Sequence, residues 1–351
     1  MKVLVIQIKM IGDVLASTVI CEAIKKVHPE SEVHYLIQKN TFPVVDHNPF
    51  IDRVLFFDSS KHKGLSGLIQ YGKELKKENY DCIIDAYGKW ESILPTYFSG
   101  SKIRIGIRKW YTGFFYTKTV ATINEGNATA IRFRLSLAHA AFDQKESELI
   151  LPKIHLKPEE IDTAKDSISK ALDTSKKTFM ISLLGSGPNK SLPNSAMAET
   201  LDIIASHSNA QLVFNYMPNQ EEDARKIYDL CKATTKEKII FDFYTKGLRD
   251  FIAVLSQCDA LIGNEGGAVN MAKALQVPTF TLFAPWINKH SWNILEETGF
   301  HDSIHLADYY PELYQKKHPK NFKEKSLEWY KKLKPELFEQ KLIAFLAKIG
   351  S

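Results

Sequence analysis

The residues best suited to chemistry lie in short polar turns that follow apolar, β-rich runs. The clearest turn begins after Ile262, with Gly263, Asn264, Glu265, Gly266, Gly267, Ala268, Val269 and Asn270, and leads through Met271 to Leu275, Val277 and Pro278. A strand ends, a glycine turn follows, and a helix starts. Glycines let a ligand approach the backbone closely. A helix N-terminus adds unpaired N–H groups and a positive dipole end, which suits a diphosphate. On composition alone, an ordinary strand-to-helix turn with an acidic residue at the helix start fits equally well.

A second candidate is Asp13, in Ile11, Gly12, Asp13, Val14, Leu15 after the run Val3 to Ile8. A carboxylate here could take a proton from an attacking hydroxyl, or it could cap a helix. The residues alone favour the cap. Gly-x-Gly-x-x-Gly is absent after this strand, which argues against nicotinamide dinucleotide binding.

A third turn is Gly185, Ser186, Gly187, Pro188, Asn189, Lys190, then Pro193. A lysine at a strand end can place a point charge on phosphates; the plainer reading is a solvated loop lysine. In Pro218, Asn219, Gln220, Glu221, Glu222, Glu222 is the candidate to accept ribose hydroxyls, with Glu221 close behind. Acidic residues in a first helical turn fit almost as well.

Arg104 and Arg108 stand among Lys102, Lys109, Trp110, Tyr111, Phe114, Phe115, Tyr116 and Lys118. Cations with aromatics suit an anionic ligand or a membrane surface. A strand followed by a packed hairpin with a basic face is the slightly stronger reading. Asp46, Asp85 and His139 read as structural. No Asp-x-Asp or Cys-x-x-Cys occurs, so no metal site and no cofactor is expected. Walker, nucleophile-elbow and protease signatures are also missing.

The positioning elements alternate. The first half reads as strands at Val3–Ile8, Glu32–Leu36, Arg53–Phe57, Tyr80–Ala86 and Lys102–Ile107, with helical patterns after Gly12 and over Leu65–Lys77. The second half restarts the rhythm. Strands are expected at Lys177–Leu184, Gln211–Tyr216, Lys238–Phe241, Ala260–Gly263 and Thr279–Phe283, and helices at Ser195–Ser206, Glu221–Cys231, Leu248–Ser256 and Gly267–Leu275. Such alternation predicts parallel sheets with helices on both faces. The proline-bearing stretch Leu151–Pro158 is the expected linker. The domains are therefore set at 1–155 and 156–325, followed by a helical segment 326–351 broken at Pro335.

The 351 residues, 44% hydrophobic and 25% charged, suit two globular domains. A net charge of +5 is mild and dispersed, which fits an anionic small partner better than nucleic acid. Cys21, Cys82, Cys231 and Cys258 lie in or beside apolar segments and read as buried thiols in a reducing compartment. The opening run is shorter than a signal peptide's apolar region, and no run reaches a membrane span. A cytoplasmic protein is expected, with peripheral contact at the inner membrane compatible.

The glycine turn resembles the signature of glycosyltransferase family 9, the ADP-heptose:lipopolysaccharide heptosyltransferases. The family carries Asp-Ser/Thr-Gly-x-x-His before Ala-Ala-Leu-x-x-Pro. Glu265 falls on the Asp, Gly267 on the Gly and Asn270 on the His, while Ala274, Leu275 and Pro278 match directly. Glu keeps the carboxylate; Asn keeps a hydrogen-bond donor but loses the titratable ring. Gly12 to Leu15 resembles the family's first loop. Ser186 and Lys190 fit its small polar residue and lysine, with Leu192 in place of a Trp.

The resemblance implies a GT-B architecture, two doubly wound Rossmann-like domains facing a central cleft, with the last helix crossing back to the N-terminal domain. It implies inverting transfer of a sugar, with heptose from ADP-heptose as the leading donor, to a lipopolysaccharide core-type or other anionic surface glycan. Asp13 would be the base and Lys190 the phosphate cation. Ser186, Glu222, Glu265, Gly266, Gly267 and Asn270 would hold the donor, and Arg104 and Arg108 the acceptor. The alternatives are another donor sugar, or a sugar-nucleotide or glycan-binding protein without turnover.

Overall fold

The computed structural model describes residues 1–143, 148–293, 299–315 and 317–350. They form two compact units, Met1–His155 and Leu156–Ser351. In the first unit β1 (Lys2–Ile6), α1 (Ile11–Val27), β2 (Glu32–Ile37), β3 (Arg53–Phe56), α2 (Gly64–Lys76), β4 (Cys82–Asp85), α3 (Trp90–Phe98), β5 (Ile103–Ile107), β6 (Lys118–Val120) and α4 (Thr129–Phe142) follow in order. The sheet order is β3-β2-β1-β4-β5-β6, with every pairing parallel.

Both faces of this sheet are covered, so its central strands are apolar on both sides. Leu4 and Ile6 pack with Leu36, Leu68, Leu75, Ile83 and Leu94 under α2 and α3. Val3 and Val5 alternate to the other face and are fully buried, and α1 and α4 pack against each other. The segment after β5 is not a hairpin. The chain turns through 109–116 and returns as β6, parallel to β5.

The second unit holds α5 (Pro158–Ala171), β7 (Thr178–Ser182), α6 (Asn194–His207), β8 (Gln211–Asn215), α7 (Glu221–Leu230), α8 (Ala233–Lys236), α9 (Leu248–Leu255), β9 (Ala260–Asn264), α10 (Gly267–Ala274), β10 (Thr279–Leu282), α11 (Lys289–Trp292), β11 (His301–Ile304), α12 (Ser326–Tyr330) and α13 (Pro335–Gly350). Its parallel sheet runs β11-β10-β9-β7-β8. The strand expected at Lys238–Phe241 shrinks to one bridge, Leu212 to Ile239. Strand β11 has too polar a sequence, His-Asp-Ser-Ile, to announce itself.

The tail breaks at Pro335 into α12 and α13. Phe338, Leu342, Phe345 and Leu346 of α13 are buried in the second unit's core, and α13 packs on α6. All four cysteines are buried free thiols. Burial pushes the Cys82, Cys231 and Cys258 thiols up to about 12.

Two buried imidazoles make the second unit acid-sensitive. Burial pushes His301 and His305 down to about 4. His305 Nε2 lies 3.1 Å from the Pro285 carbonyl and Nδ1 accepts from the Ala307 N–H at 3.1 Å, a pattern that fits only the neutral ring. An unfolded histidine takes a proton near pH 6.5 that the folded one refuses, so protons favour unfolding below that pH. Stability from this source should be complete above about pH 6.5 and fall towards pH 4, by at most about 1.4 kcal/mol per pH unit per histidine. Urea unfolding across that range should show the slope, and His305→Gln should reduce it, leaving the share of His301.

Candidate functional site

In both units the candidate residues gather where the strand order reverses. Chain connections leave such a point in opposite directions, opening a crevice beyond the carboxyl ends of two central strands. In the second unit the point lies between β7 and β9, and the loops that follow those strands carry Lys190 and Glu265.

Asn264, fully buried at the end of β9, ties the two loops together. Its Oδ1 accepts from the Leu192 N–H at 2.8 Å, and its Nδ2 donates to the Leu183 carbonyl at 2.8 Å. Ser182 Oγ donates back to the Asn264 carbonyl at 2.9 Å. Two glycines permit this closeness. A Cβ on Gly185 would lie 2.2 Å from the Lys190 carbonyl oxygen, and one on Gly263, at φ +135°, would lie 2.3 Å from that of Ser182. The Gly185 N–H donates to Ser191 Oγ at 2.9 Å. A short 3₁₀ turn, Pro188–Lys190, then delivers the lysine.

Lys190 Nζ meets Glu265 Oε1 at 2.9 Å across the switch point. The contact is an ion pair by distance without hydrogen-bond geometry, so that buried oxygen makes no hydrogen bond. The ammonium also lies 5.4 Å from the Trp286 ring centroid, and Lys323 lies 5.2 Å from the same ring. Trp286 Nε1 donates to the Asn189 carbonyl at 2.8 Å, fixing the ring under the loop. Ser326 Oγ, at the start of α12, donates to the same carbonyl at 2.8 Å. Buried Tyr330 stands near; burial and then the Glu265 charge raise its hydroxyl well above the usual phenol range.

Gly266 has open space where a Cβ would sit, and Gly267 opens α10. Ser186 is exposed and Asn270 partly so. Glu222 is not drawn into this group. Its side chain is 87% exposed and pairs with Lys226 at 3.1 Å on its own helix. The residue of that turn that reaches the site is Gln220, whose Nε2 donates to the Gly185 carbonyl at 3.1 Å.

In the first unit the switch point lies between β1 and β4. Asp13 stands in the first turn of α1, yet it does not cap the helix; Met10 occupies that position without a side-chain bond. Its Oδ1 accepts from Arg134 Nη2 at 2.9 Å, and Lys9 Nζ lies 3.1 Å from each carboxylate oxygen. Arg134 comes from the buried face of α4 and also donates to Ser17 Oγ at 2.8 Å and the Ala130 carbonyl at 2.7 Å. Gln7 Nε2 donates to Ser17 Oγ at 3.2 Å and crosses to the Ala86 carbonyl at 3.0 Å. The carboxylate is thus held by two cations, Arg134 on Oδ1 and Lys9 near both oxygens.

Asp85, at the end of β4, is structural. Tyr116 donates to it at 2.5 Å and the Gly88 and Tyr87 N–H groups at 2.8 and 2.9 Å, while burial raises its carboxyl. Arg104 is committed to the Ser101 and Phe115 carbonyls at 2.6 and 3.0 Å, so it holds the turn after β5 in place. Arg108 is exposed, with weaker bonds to Thr119 at 3.3 and 3.5 Å. Among the described residues no group of three or more His, Cys, Asp or Glu side chains could hold a metal ion.

The model of glycosyltransferase family 9 (heptosyltransferase) matches residues 68–297. The chain belongs to glycosyltransferase family 9. It is a glycosyltransferase with the family's GT-B fold of two parallel sheets. The lipopolysaccharide heptosyltransferase 1 of Campylobacter coli is 22% identical over 294 residues, covering 81% of this chain and 84% of that one. A family 9 glycosyl transferase from Veillonella parvula superposes with a TM-score of 0.78 at 20% identity, over 99% of this chain and 96% of that chain. The ADP-heptose LPS heptosyltransferase II of E. coli superposes with a TM-score of 0.73 at 16% identity over the full length of both.

Arg134, Asn264, Trp286 and Gln220 were not foreseeable as site residues. Arg134 and Asn264 leave only a faint trace, a polar residue inside an otherwise apolar element. Asn264→Ala would strand the Leu192 N–H and the Leu183 carbonyl in a buried place, at a cost of at least about 2 kcal/mol. Denaturant titration should show that loss. Asn264→Asp should be no milder, because it sets an acceptor against the Leu183 carbonyl.

Proposed function

We propose that the chain transfers a heptose from ADP-heptose to an anionic lipopolysaccharide core-type acceptor, with inversion at the anomeric carbon. The observation that carries this reading is the Lys190–Glu265 pair set across the second unit's switch point, beside the N-terminus of α10. The names of the Campylobacter coli and E. coli relatives supply the donor sugar and the acceptor class.

The donor diphosphate would lie against the first N–H groups of α10 at Gly266 and Gly267, where the helix dipole favours negative charge. Lys190 would neutralise the charge that grows on the leaving nucleoside diphosphate. Ser186 and Asn270 would donate to its oxygens or to the sugar. Glu265 orients Lys190 and can accept from a sugar hydroxyl through its second oxygen. Glu222, in the first turn of α7, is the candidate for the ribose hydroxyls, and Gln220 steadies the turn before it.

Asp13 would take the acceptor's proton. As the acceptor oxygen attacks the anomeric carbon, its O–H bond breaks towards Asp13 Oδ2 and the carbon–diphosphate bond breaks away from it. Arg134 and Lys9 fix the carboxylate's position. Arg108, exposed after β5, is a candidate to meet the acceptor's negative groups. Contact with the inner membrane fits an acceptor anchored in lipid.

A panel of ADP-, UDP-, GDP- and TDP-sugars in a thermal-shift assay tests the donor. ADP-heptose at 100 times its dissociation constant should add roughly 2.7 kcal/mol of stability. Preference for another sugar nucleotide would reject heptose transfer while leaving the family assignment standing. Asp13→Asn should cut turnover by at least about a hundredfold with donor affinity nearly unchanged. Equal losses of binding and rate would reject the base assignment.

A further inference from the structure

The first unit carries a surface that the transfer chemistry does not use. A cavity of about 590 Å³ opens on it, lined by Phe57, Leu65, Leu68, Trp90 and Leu94. Its floor is core: Phe57, Leu68 and Leu94 belong to the cluster under α2 and α3. Its rim is open to water, with Leu65 65% exposed. His62 in its wall lies 4.3 Å from the Tyr71 ring centroid, and burial lowers its pKa.

An aromatic ridge extends from the cavity mouth. Trp90 stacks on Tyr111 at 5.5 Å and meets Phe115 at 5.7 Å. Tyr111 touches Trp110, and Phe115 touches Phe114. Trp110 is 95% exposed and Phe114 74% exposed. Contiguous exposed aromatics on this scale mark an interaction surface. The ridge is rigidly presented, because Arg104 pins the turn through two carbonyls and Lys109 Nζ donates to the Gly88 carbonyl.

Charge selects the partner. Lys63 lines the cavity, Lys89 next to Trp90 is exposed, and Lys109 lies 5.7 Å from the Tyr111 ring centroid. Glu91 is the one carboxylate in the cavity lining. Tryptophan favours the level of lipid head groups, where an amphipathic ring has one wet and one apolar side. Lysine and arginine beside it are drawn to anionic lipid. Among the described residues no helix is long and apolar enough to cross a membrane, so attachment through this surface would be peripheral.

We propose that this face docks on an anionic phospholipid bilayer, with Trp110 and Phe114 inserted at head-group level and the cavity taking one lipid acyl chain. Each methylene so buried strengthens binding roughly fourfold. The proposal is independent of the donor and the base assigned above, since it needs no turnover.

Vesicle flotation of the full chain tests it. Vesicles of phosphatidylethanolamine with phosphatidylglycerol should bind at least about tenfold more tightly than phosphatidylcholine vesicles at low salt. The Trp110→Ser/Phe114→Ser double variant should lose about tenfold or more of that binding while its ADP affinity and circular dichroism stay unchanged. Dihexanoyl phosphatidylglycerol below its micelle concentration should raise the melting temperature of the wild type and not of Leu65→Asp, whose side chain sits at the rim and is not needed for folding. Equal binding to both vesicle types, or undiminished binding by the double variant, would overturn the docking face. A wild type that gains nothing from the short-chain lipid, or a gain that survives Leu65→Asp, would overturn the cavity as the chain's seat.

Discussion

The second unit is organised around one ion pair. Lys190 and Glu265 come from loops that leave adjacent strands in opposite directions, and they meet at 2.9 Å. Neither loop could hold that position alone. Asn264 binds the backbone of the other loop with both ends of its amide, and the lack of a Cβ at Gly185 and Gly263 lets the two chains close on each other. The pair is partly buried, so solvent screens it less than a surface pair. It sets a cation beside the N-terminus of α10. Trp286 and Tyr330 add an apolar backing that keeps the charge from dispersing into water.

The first unit repeats the arrangement with different chemistry. Its strand order places the β1 and β4 loops at an equivalent reversal. There the held group is an anion, Asp13, gripped by Arg134 and Lys9. Removing Arg134 would leave Asp13, Ser17 and the Ala130 carbonyl short of one donor each, so the arginine is a positioning residue for the carboxylate. One fold thus sets a fixed cation in one unit and a fixed anion in the other.

Most of this architecture was legible because parallel strands buried on both faces are short, apolar and separated by helical periodicity. Val3–Ile8, Gln211–Tyr216 and Thr279–Phe283 all carry that signal, and strands form there over Lys2–Ile6, Gln211–Asn215 and Thr279–Leu282. Lys238–Phe241 carries it too, but only Ile239 pairs, because the chain there reaches the sheet edge for a single residue. β11 and β6 are edge strands with polar sequences and gave no signal. Lys190 and Glu265 could be read as candidates from their loops. That they meet could not be read, because it depends on Asn264, a residue whose amide looks idle until the neighbouring loop is seen. Glu222 suits a ribose by type and position, and its exposed carboxylate pairs with Lys226 at 3.1 Å on the same helix.

The most direct test is calorimetric titration of ADP into the wild type and Lys190→Met. A charge-assisted hydrogen bond to phosphate contributes about 1.5–3 kcal/mol, so the variant should bind ADP roughly ten- to a hundredfold more weakly. Wild-type affinity in Lys190→Met would contradict the placement of the donor diphosphate at this switch point.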